Sequence, residues 1–237
     1  RERYDVVISS LFFTCTLLRL AAFLARVPVI LSNEVNVDAG TSRKRVFVER
    51  LLARITYKFI ANSKEVFESV SHRLRLPKGR VALIYSGIDL NAHTYALGAM
   101  TVEELRRKHG CSPGCITVTS AGSMTEQKGH RYLIEAFAGL RGRVSVPIRL
   151  IIFGEGTLRD ELMSQVRELK LQYDIALPGI APLTEIIAVT DIFVLPSLWE
   201  GMSLMLLEAM AGGKPIIATD ISGSRELIEN NGNGFLI

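Results

Sequence analysis

The segment PSLWEGMSLMLLEAMAGGKPIIATD, Pro196–Asp220, is the stretch that decides the fold of this chain. It joins a buried strand to a helix through two carboxylates, Glu200 before Gly201 and Glu208 on the helix that Ser203 is placed to cap. Backbone N–H groups at a helix start attract phosphate, and neighbouring carboxylates accept hydrogen bonds from sugar hydroxyls. The segment therefore predicts a sugar-phosphate ligand at a strand-to-helix junction.

Working outward, short β-branched runs alternate with helical patterns along the whole chain. This alternation is typical of parallel sheets with crossover helices, so the predicted class is α/β. The predicted strands are Tyr4–Ile8, Val29–Leu31, Lys58–Ala61, Val81–Tyr85, Ile116–Ala121, Arg149–Phe153, Ile175–Leu177, Ile192–Leu195 and Pro215–Ala218, and a helix is predicted at Val102–Lys108.

A chain of 237 residues with 48% hydrophobic content suits two small α/β domains. We predict domains at residues 1–96 and 97–237, because Ser86–Met100 lacks a helical or strand period and mixes Gly, Asn and Asp as a linker does. The chain starts at Arg1 and ends in an apolar run at Ile237, so we expect a fragment that is incomplete at both termini.

The net charge of +4 conceals an asymmetry between the halves. Residues 1–96 carry 15 Lys and Arg against 8 Asp and Glu, a net +7, whereas residues 97–237 carry 13 against 16, a net −3. One helix of the basic half carries the cluster Arg43, Lys44, Arg45, Arg50 and Arg54. The cluster fits either acidic lipid headgroups or an acceptor phosphate, or else an ordinary solvated helix face.

Cysteine usage predicts a cytoplasmic chain, and the hydropathy predicts no membrane span. Cys15, Cys111 and Cys115 form neither an even disulfide framework nor a convincing metal set, so core or surface thiols are expected and no metal site. The apolar run Leu11–Leu31 is interrupted by charges and a proline before it reaches the length of a membrane span. We therefore predict a helix followed by a strand there.

Two earlier strand ends carry loop chemistry that fits the same crevice, since open parallel sheets bind ligands at these ends. In AGSMTEQKGH, Gly122 permits a turn and Lys128 stands at the start of the next helix, where it can meet phosphate. A surface lysine is the alternative interpretation.

In FGEGTLRDEL, Gly154 and Gly156 let the backbone approach a ligand, and Thr157 is placed to cap the next helix. A plain turn between strand and helix explains this loop equally well. The third glycine of a dinucleotide fingerprint would fall at Arg159, which disfavours a nicotinamide-dependent oxidoreductase.

The two acids also have ordinary explanations that must be weighed. A glutamate before a helix, such as Glu200, often serves only as a partner of the helix dipole. Glu208 is harder to explain in this way because it interrupts the apolar run LMLLEAMA, where an unpaired buried charge would cost several kcal/mol. We expect a ligand hydroxyl or a protein donor as its partner.

The motifs resemble those of retaining glycosyltransferases of family 4, which have the two-domain GT-B fold. Glu200 and Glu208 match the family's E-x7-E motif within EGMSLMLLEAMAGGKPIIATD. Further similar segments are GSMTEQKGHRYLIEAF, FGEGTLRDEL, NNGNGFLI, FIANSKEV and VALIYSGIDL. The resemblance implies two Rossmann-like domains, with a nucleotide-sugar bound by the C-terminal one and the acceptor by the N-terminal one.

The resemblance also implies roles for individual residues. Glu200 would hydrogen-bond the donor sugar, Glu208 the ribose, and Lys128 would neutralise the leaving group, which is electrostatic catalysis without a metal. The remaining donor-side positions are Gly122, Ser123, Gly154, Gly201, Met202, Ser203 and Leu204, and the acceptor-side positions are Glu34 and Asn36.

The implied activity is a hexosyltransferase-type transfer, with retention of configuration, from a nucleotide-sugar linked to UDP or GDP. The implied acceptor is a glycan or lipid-linked molecule, with peripheral contact at the inner membrane face through the basic half. Neither a cofactor nor nucleic acid is expected.

The sequence also departs from the family pattern. It has Ser123 where the family often has Arg, Ser86-Gly87 for Asn-Gly, and SNEVN at Ser32–Asn36 for a basic residue. The family's N-terminal Gly-rich loop and final helix are not in the sequence. The departures leave a non-catalytic glycosyltransferase-like binding domain as the second hypothesis.

Overall fold

The computed structural model describes residues 3–10, 12–36, 42–90, 100–140 and 142–237, without the side chains of residues 12–14. Within it the chain forms two compact units. Unit 1 comprises Arg1–Ser86 with Glu200–Met202, and unit 2 comprises Gly87–Trp199 with Ser203–Ile237. Most of the predicted linker, residues 91–99, and the predicted boundary at 96/97 lie outside the described residues.

Unit 1 contains a parallel four-stranded sheet in the order β1-β2-β3-β4. Its elements in chain order are β1 (Val6–Ser10), α1 (Phe12–Leu24), β2 (Val29–Glu34), α2 (Arg43–Leu52), β3 (Lys58–Ala61), α3 (Lys64–Leu74) and β4 (Val81–Leu83).

The core of unit 1 lies where α3 packs on the sheet. Val66, Val70 and Leu74 recur at helical spacing and are buried against Phe59 of β3. Ser63 caps the helix by accepting a hydrogen bond from the backbone N–H of Val66 at 3.2 Å. An apolar stripe and a side-chain cap therefore fix the position of α3.

Unit 2 contains a parallel six-stranded sheet in the order β10-β9-β8-β5-β6-β7. Its elements are α4 (Val102–Lys108), β5 (Ile116–Ala121), a 3₁₀ helix (Glu126–Lys128), α5 (His130–Ala138), β6 (Ile148–Phe153), α6 (Arg159–Glu168), β7 (Ile175–Gly179), α7 (Leu183–Val189), β8 (Ile192–Leu195), α8 (Leu204–Ala211), β9 (Ile216–Ala218), α9 (Ser222–Arg225) and β10 (Phe235–Leu236).

The sheet of unit 2 has an apolar core on both faces. Along β6, Leu150 and Ile152 contribute to one core cluster, whereas Ile151 and Phe153 contribute to the other. All four are essentially inaccessible to solvent. This is why residues 150–153 of β6 are a continuous apolar run rather than an alternating one.

The structure confirms the predicted α/β class with two parallel-sheet units. The helix at Val102–Lys108 is also confirmed, as is the helix followed by a strand within the run Leu11–Leu31. The strand β10 was not predicted, and β1 lies two residues later than predicted, at Val6–Ser10. Among the described helices, none combines the length and apolarity needed to cross a membrane.

A salt bridge between Arg106 and Asp191 joins α4 to the sheet of unit 2. Arg106 donates to both carboxylate oxygens of Asp191, at 3.1 and 2.6 Å, and the backbone N–H of Thr117 donates to the same carboxylate at 2.7 Å. Burial alone would raise the pKa of Asp191, but the hydrogen bonds from Arg106 and Thr117 outweigh it and hold the pKa below 3.8. The ionised carboxylate therefore stabilises the fold.

We predict that Asp191→Asn lowers the free energy of unfolding at pH 7 by about 1–2 kcal/mol, since the side chain is partly solvated. A carboxylate with a depressed pKa stabilises the fold above its unfolded pKa and loses that effect as pH falls through its folded pKa. The difference from the unsubstituted chain, measured by denaturant unfolding, should therefore shrink in acid. The exposed Asp5→Asn, which lies outside any helix, serves as the control and should change stability by less than about 0.5 kcal/mol. An equal loss at pH 2 and pH 7 would contradict the charge-based explanation.

Candidate functional site

The strand order of unit 2 creates a crevice at the carboxyl ends of β5 and β8. β5 pairs with β6 on one side and with β8 on the other, so the direction of the sheet order reverses between β5 and β8. Open parallel sheets bind their ligands at this switch point. The loops that follow these two strands carry Lys128 and the segment that starts at Pro196.

Glycines bring the loops after β5 and β6 into backbone contact. Gly154 has φ +132°, and a Cβ there would overlap the carbonyl oxygen of Gly122. A Cβ on Gly156 would lie 2.5–2.7 Å from backbone atoms of Met124. The backbone N–H of Met124 donates to the backbone carbonyl of Glu155 at 2.8 Å, so the two loops form one hydrogen-bonded layer. Gly122 and Gly154 thus lie together, as the sequence predicts for one site.

A third glycine brings in the loop after β8. Gly129, at φ +61°, lies so close to the carbonyl oxygen of Pro196 that a Cβ would overlap it. The backbone N–H of Leu198 donates to Gln127 at 2.8 Å, and the Gln127 side chain donates to the carbonyl of Trp199 at 2.9 Å. One close backbone approach and two hydrogen bonds therefore hold the β8 loop against the β5 loop at the switch point.

Lys128 lies over this layer. A Cβ on Gly122 would lie 3.2–3.6 Å from the Lys128 stem carbons, so the lysine side chain occupies the space that glycine leaves open. The prediction that Lys128 begins the next helix is wrong. Lys128 ends the 3₁₀ helix, and Gly129, in the left-handed conformation, separates it from α5. Ser123 is exposed, and its hydroxyl lies 3.4 Å from that of Thr125.

His130 is a residue that sequence reasoning missed. It is the first residue of α5 and is only 2% exposed. Burial, with a smaller effect from the charge of Lys128, lowers the pKa of His130 to about 4. The imidazole is neutral at physiological pH, so Lys128 is the one cation in the fully described segment 122–130. The sequence signal that could have identified His130 is its position directly after Lys128 and Gly129.

The β8 loop leads into α8, which carries Glu208. Ser203 occupies the N-cap position and is buried, but its side chain makes no capping hydrogen bond within the described residues, contrary to expectation. Leu204 is 53% exposed and Glu208 is half-buried. The first turn of α8 therefore lacks the hydroxyl cap that the sequence predicts.

The predicted cap of α6 is also wrong. Thr157 lies one residue too early, because α6 begins at Arg159 with Leu158 in the N-cap position. The backbone N–H of Leu158 donates instead to the carbonyl of Met124 at 2.9 Å. A hydrogen bond to a neighbouring loop, rather than a local cap, determines where this helix starts.

Glu200, Gly201 and Met202 follow β8 in the chain but belong to unit 1. Glu200 is 6% exposed and Met202 is 7% exposed. Gly201 lies against the carbonyl oxygen of Val35, where a Cβ would overlap it, and that Cβ would be 2.6 Å from the side-chain oxygen of Asn62. Glycine is thus required at 201 by close approach.

The two acceptor-side residues have different surroundings in unit 1. Glu34 ends β2, accepts a hydrogen bond from the Ser32 hydroxyl at 2.9 Å and pairs with Arg73 at 3.4 Å. Arg73 also pairs with Glu49 at 3.0 Å. The carboxylate of Glu34 therefore belongs to an internal ion-pair network, whereas Asn36 is exposed.

The described part of the chain contains no cluster of three or more His, Cys, Asp or Glu side chains arranged to hold a metal ion. The cysteines Cys15, Cys111 and Cys115 are buried free thiols. Burial raises the pKa of Cys115, as expected for an unreactive core thiol.

Comparison with known proteins places this geometry in a family. The family described as "Glycosyl transferases group 1" matches residues 101–237, more than half of the chain. The chain belongs to the glycosyl transferases group 1 family. A second family, "Glycosyltransferase Family 4", matches residues 1–92.

Two curated relatives of this group 1 chain are named for lipid-linked substrates. The Escherichia coli UDP-Gal:alpha-D-GlcNAc-diphosphoundecaprenol alpha-1,3-galactosyltransferase is 31% identical over 100% of this chain and 63% of its own length. A Campylobacter jejuni N-acetylgalactosaminyltransferase with a diphospho-undecaprenol substrate is 29% identical over 100% of this chain and 60% of its own length. The chain thus spans about three fifths of these relatives.

Solved structures show the fold of the group 1 chain. Anabaena HepE in complex with UDP-glucose has a TM-score of 0.86 at 23% identity, covering 98% of this chain and 64% of that one. A sucrose-phosphate synthase from Thermosynechococcus elongatus has a TM-score of 0.77 at 19% identity, covering 99% and 60%. The similarity shows the GT-B fold.

We predict that Gly154→Ala lowers the free energy of unfolding by about 3 kcal/mol, because a Cβ would meet the Gly122 carbonyl at an unfavourable φ. Gly114→Ala is the matched control. Gly114 also has a positive φ, +74°, but nothing lies within 4 Å of an added Cβ, so the expected loss is about 1 kcal/mol. Denaturant unfolding of both variants separates close approach from backbone strain. Equal losses would show that the loop contact contributes nothing.

Proposed function

We propose that the whole protein transfers a sugar from a nucleotide-sugar donor to a lipid-linked glycan acceptor. The observation that carries this proposal is the glycine-built crevice of unit 2, where Lys128 lies over Gly122 beside the loop that leads to α8. A lysine and the N–H groups of a helix start that has no side-chain cap suit a diphosphate at a switch point.

The comparisons support the choice of substrates. One solved relative binds UDP-glucose, and two curated relatives are named for diphosphoundecaprenol-linked substrates. A uridine-linked donor and a polyprenyl-diphosphate acceptor are therefore the substrates we assign. Acceptors of this kind reside in a membrane, which agrees with peripheral contact through the basic residues 1–96 at the cytoplasmic face.

Individual roles follow from the family resemblance and the chemistry of the side chains. Glu200 accepts hydrogen bonds from hydroxyls of the donor sugar, and Glu208 accepts them from the ribose. Backbone groups of Gly201, Met202, Ser203 and Leu204 bind the diphosphate. Lys128 stabilises the charge that develops on the leaving diphosphate. The transfer then needs no metal and retains the anomeric configuration of the donor.

The direct test is transfer by the complete protein from UDP-sugars to a short-chain polyprenyl-diphosphate sugar. We expect turnover that survives EDTA and a product whose anomeric configuration, determined by NMR, matches that of the donor. Absence of turnover with every nucleotide-sugar would refute the enzyme proposal. Loss of turnover in EDTA that Mg²⁺ restores would refute metal independence alone.

We predict that Glu200→Gln lowers kcat about 100-fold, because the carboxylate contacts that strengthen in the transition state are lost. The affinity for UDP, measured by calorimetry, should stay within about threefold, since Glu200 is assigned to the sugar and not to the nucleotide. The exposed Glu103→Gln carries the same charge change and should leave both quantities unchanged. A Glu200 variant with full kcat would remove this residue from the reaction.

A non-catalytic binding domain is the second candidate, and the exposed Ser123 favours it. Ser123 stands in the crevice loop where many family members have arginine, so segment 122–130 offers the diphosphate one cation instead of two. A binding domain can tolerate that loss more readily than an enzyme that must stabilise a leaving group.

We predict that Ser123→Arg tightens UDP binding about tenfold, because a second guanidinium can form charge-assisted hydrogen bonds with the diphosphate. Ser112→Arg is the control, since Ser112 is also exposed but precedes β5 at the opposite end of the strand. Titration calorimetry compares the two variants. If both change affinity equally, the effect is one of net charge and Ser123 does not face the diphosphate.

A further inference from the structure

Unit 1 contains a second concave site that is lined by basic side chains and lies between α2 and α3. We call it the α2/α3 basin; its volume is about 530 Å³, and its lining residues are Val46, Arg50, Ser71, His72, Arg73 and Arg75. Among the residues that the structure describes, the lining contains three arginines, a histidine and a serine hydroxyl, and no acid. Such a composition favours an anion.

Arg50 is held in a fixed orientation at the rim of this basin. Its Nε and Nη2 atoms donate to the carbonyl oxygen of Arg73, at 3.1 and 2.8 Å. The third nitrogen, Nη1, takes part in neither bond. A guanidinium that the protein already holds loses little conformational entropy when it binds a ligand.

The guanidinium of Arg73 points away from this role. It pairs with Glu49 at 3.0 Å and with Glu34 at 3.4 Å, so its charge is balanced inside unit 1. The cations that remain for a ligand in the basin are those of Arg50 and Arg75.

The end of α3 would normally repel an anion, because helix carbonyl groups carry partial negative charge there. In α3 three of the last four carbonyls, those of Ser71, His72 and Arg73, already accept hydrogen bonds. The backbone N–H of Arg75 donates to His72 at 3.3 Å, that of Leu76 donates to Ser71 at 3.0 Å, and Arg50 donates to Arg73. The charge presented to the basin is therefore positive.

Arg75 closes this helix in the left-handed conformation, with φ 53°, where glycine is the commonest residue. Arg26 ends α1 in the same way, with φ 58° and its N–H donating to Phe23 at 3.0 Å. Both arginines are exposed, but only Arg75 lines the basin. The chain thus supplies its own matched control.

We propose that the α2/α3 basin binds a phosphoryl anion through Arg50 and Arg75, with the hydroxyl of Ser71 as a further donor. Planar guanidinium groups pair bidentately with phosphate oxygens, which a dianionic phosphoryl group provides in sufficient number. The site lies within unit 1, and its occupation requires no turnover.

The test uses inorganic pyrophosphate and the full chain, followed by backbone amide chemical shifts. Pyrophosphate should shift amides of α2 and α3, and Arg75→Gly should weaken that binding about tenfold, the value of one charge-assisted contact. Arg26→Gly should bind pyrophosphate as the unsubstituted chain does. Both glycine variants should keep or raise Tm, because glycine is favoured in the left-handed conformation.

Two results would overturn the proposal: shifts confined to unit 2, or equal affinity in the Arg75→Gly and unsubstituted chains. If Arg75→Gly lowers Tm, Arg75→Lys decides the question. Lysine keeps the charge but not the bidentate fork, so binding should weaken less than in the glycine variant.

The source of the phosphoryl group is resolved by vesicles with and without phosphatidylglycerol. If Arg75→Gly releases the protein from the anionic vesicles and Arg26→Gly does not, the ligand is a lipid headgroup. If both variants bind these vesicles equally while Arg75→Gly loses pyrophosphate, the ligand is a soluble phosphate. Both results support the phosphoryl site. If Arg75→Gly still binds both the vesicles and pyrophosphate, the proposal is contradicted.

Discussion

The crevice of unit 2 depends on backbone atoms of three loops meeting where glycine has no side chain. Gly154 lies against Gly122, and Gly129 lies against Pro196, in both cases closer than a Cβ would permit. The loops after β5, β6 and β8 therefore form one layer, and the same absence of a Cβ lets the Lys128 stem lie over Gly122. Close packing between loops and the placement of the cation are thus a single constraint.

Net charge alone does not reveal which cations of unit 1 face a ligand. The net +7 of residues 1–96 includes Arg19, which is 1% exposed and donates to the carbonyl of Cys15 at 3.0 Å. It also includes Arg73, which is balanced by Glu49. Buried cations of this kind support the fold, and only the remaining exposed ones, such as Arg75, contribute to a surface potential. The positive charge of residues 1–96 therefore divides between the two roles.

The sequence predicts the elements whose cause is local and fails where tertiary contacts decide. The run IRLIIF indicates β6 because both faces of that strand are buried. Phe235–Leu236 is too short to show a period and becomes β10 only by pairing with β9. Thr157 fails as a cap because the Leu158 N–H bonds to Met124 in another loop. Similarly, no sequence signal shows that Gly129 approaches Pro196. Gly122 and Gly154, in contrast, were predicted from the sequence because each follows a strand.

The spacing of the two glutamates gains meaning from the bounds of α8. Glu200 lies four residues before the helix starts at Leu204, and Glu208 is its fifth residue. Dipole effects fade within the first turn, so neither acid is explained as a dipole partner of α8. The two acids flank a first turn that the Ser203 side chain does not cap, and its N–H groups are the natural partners of an anion. The first turn of α8 therefore offers backbone donors to an anion independently of either acid.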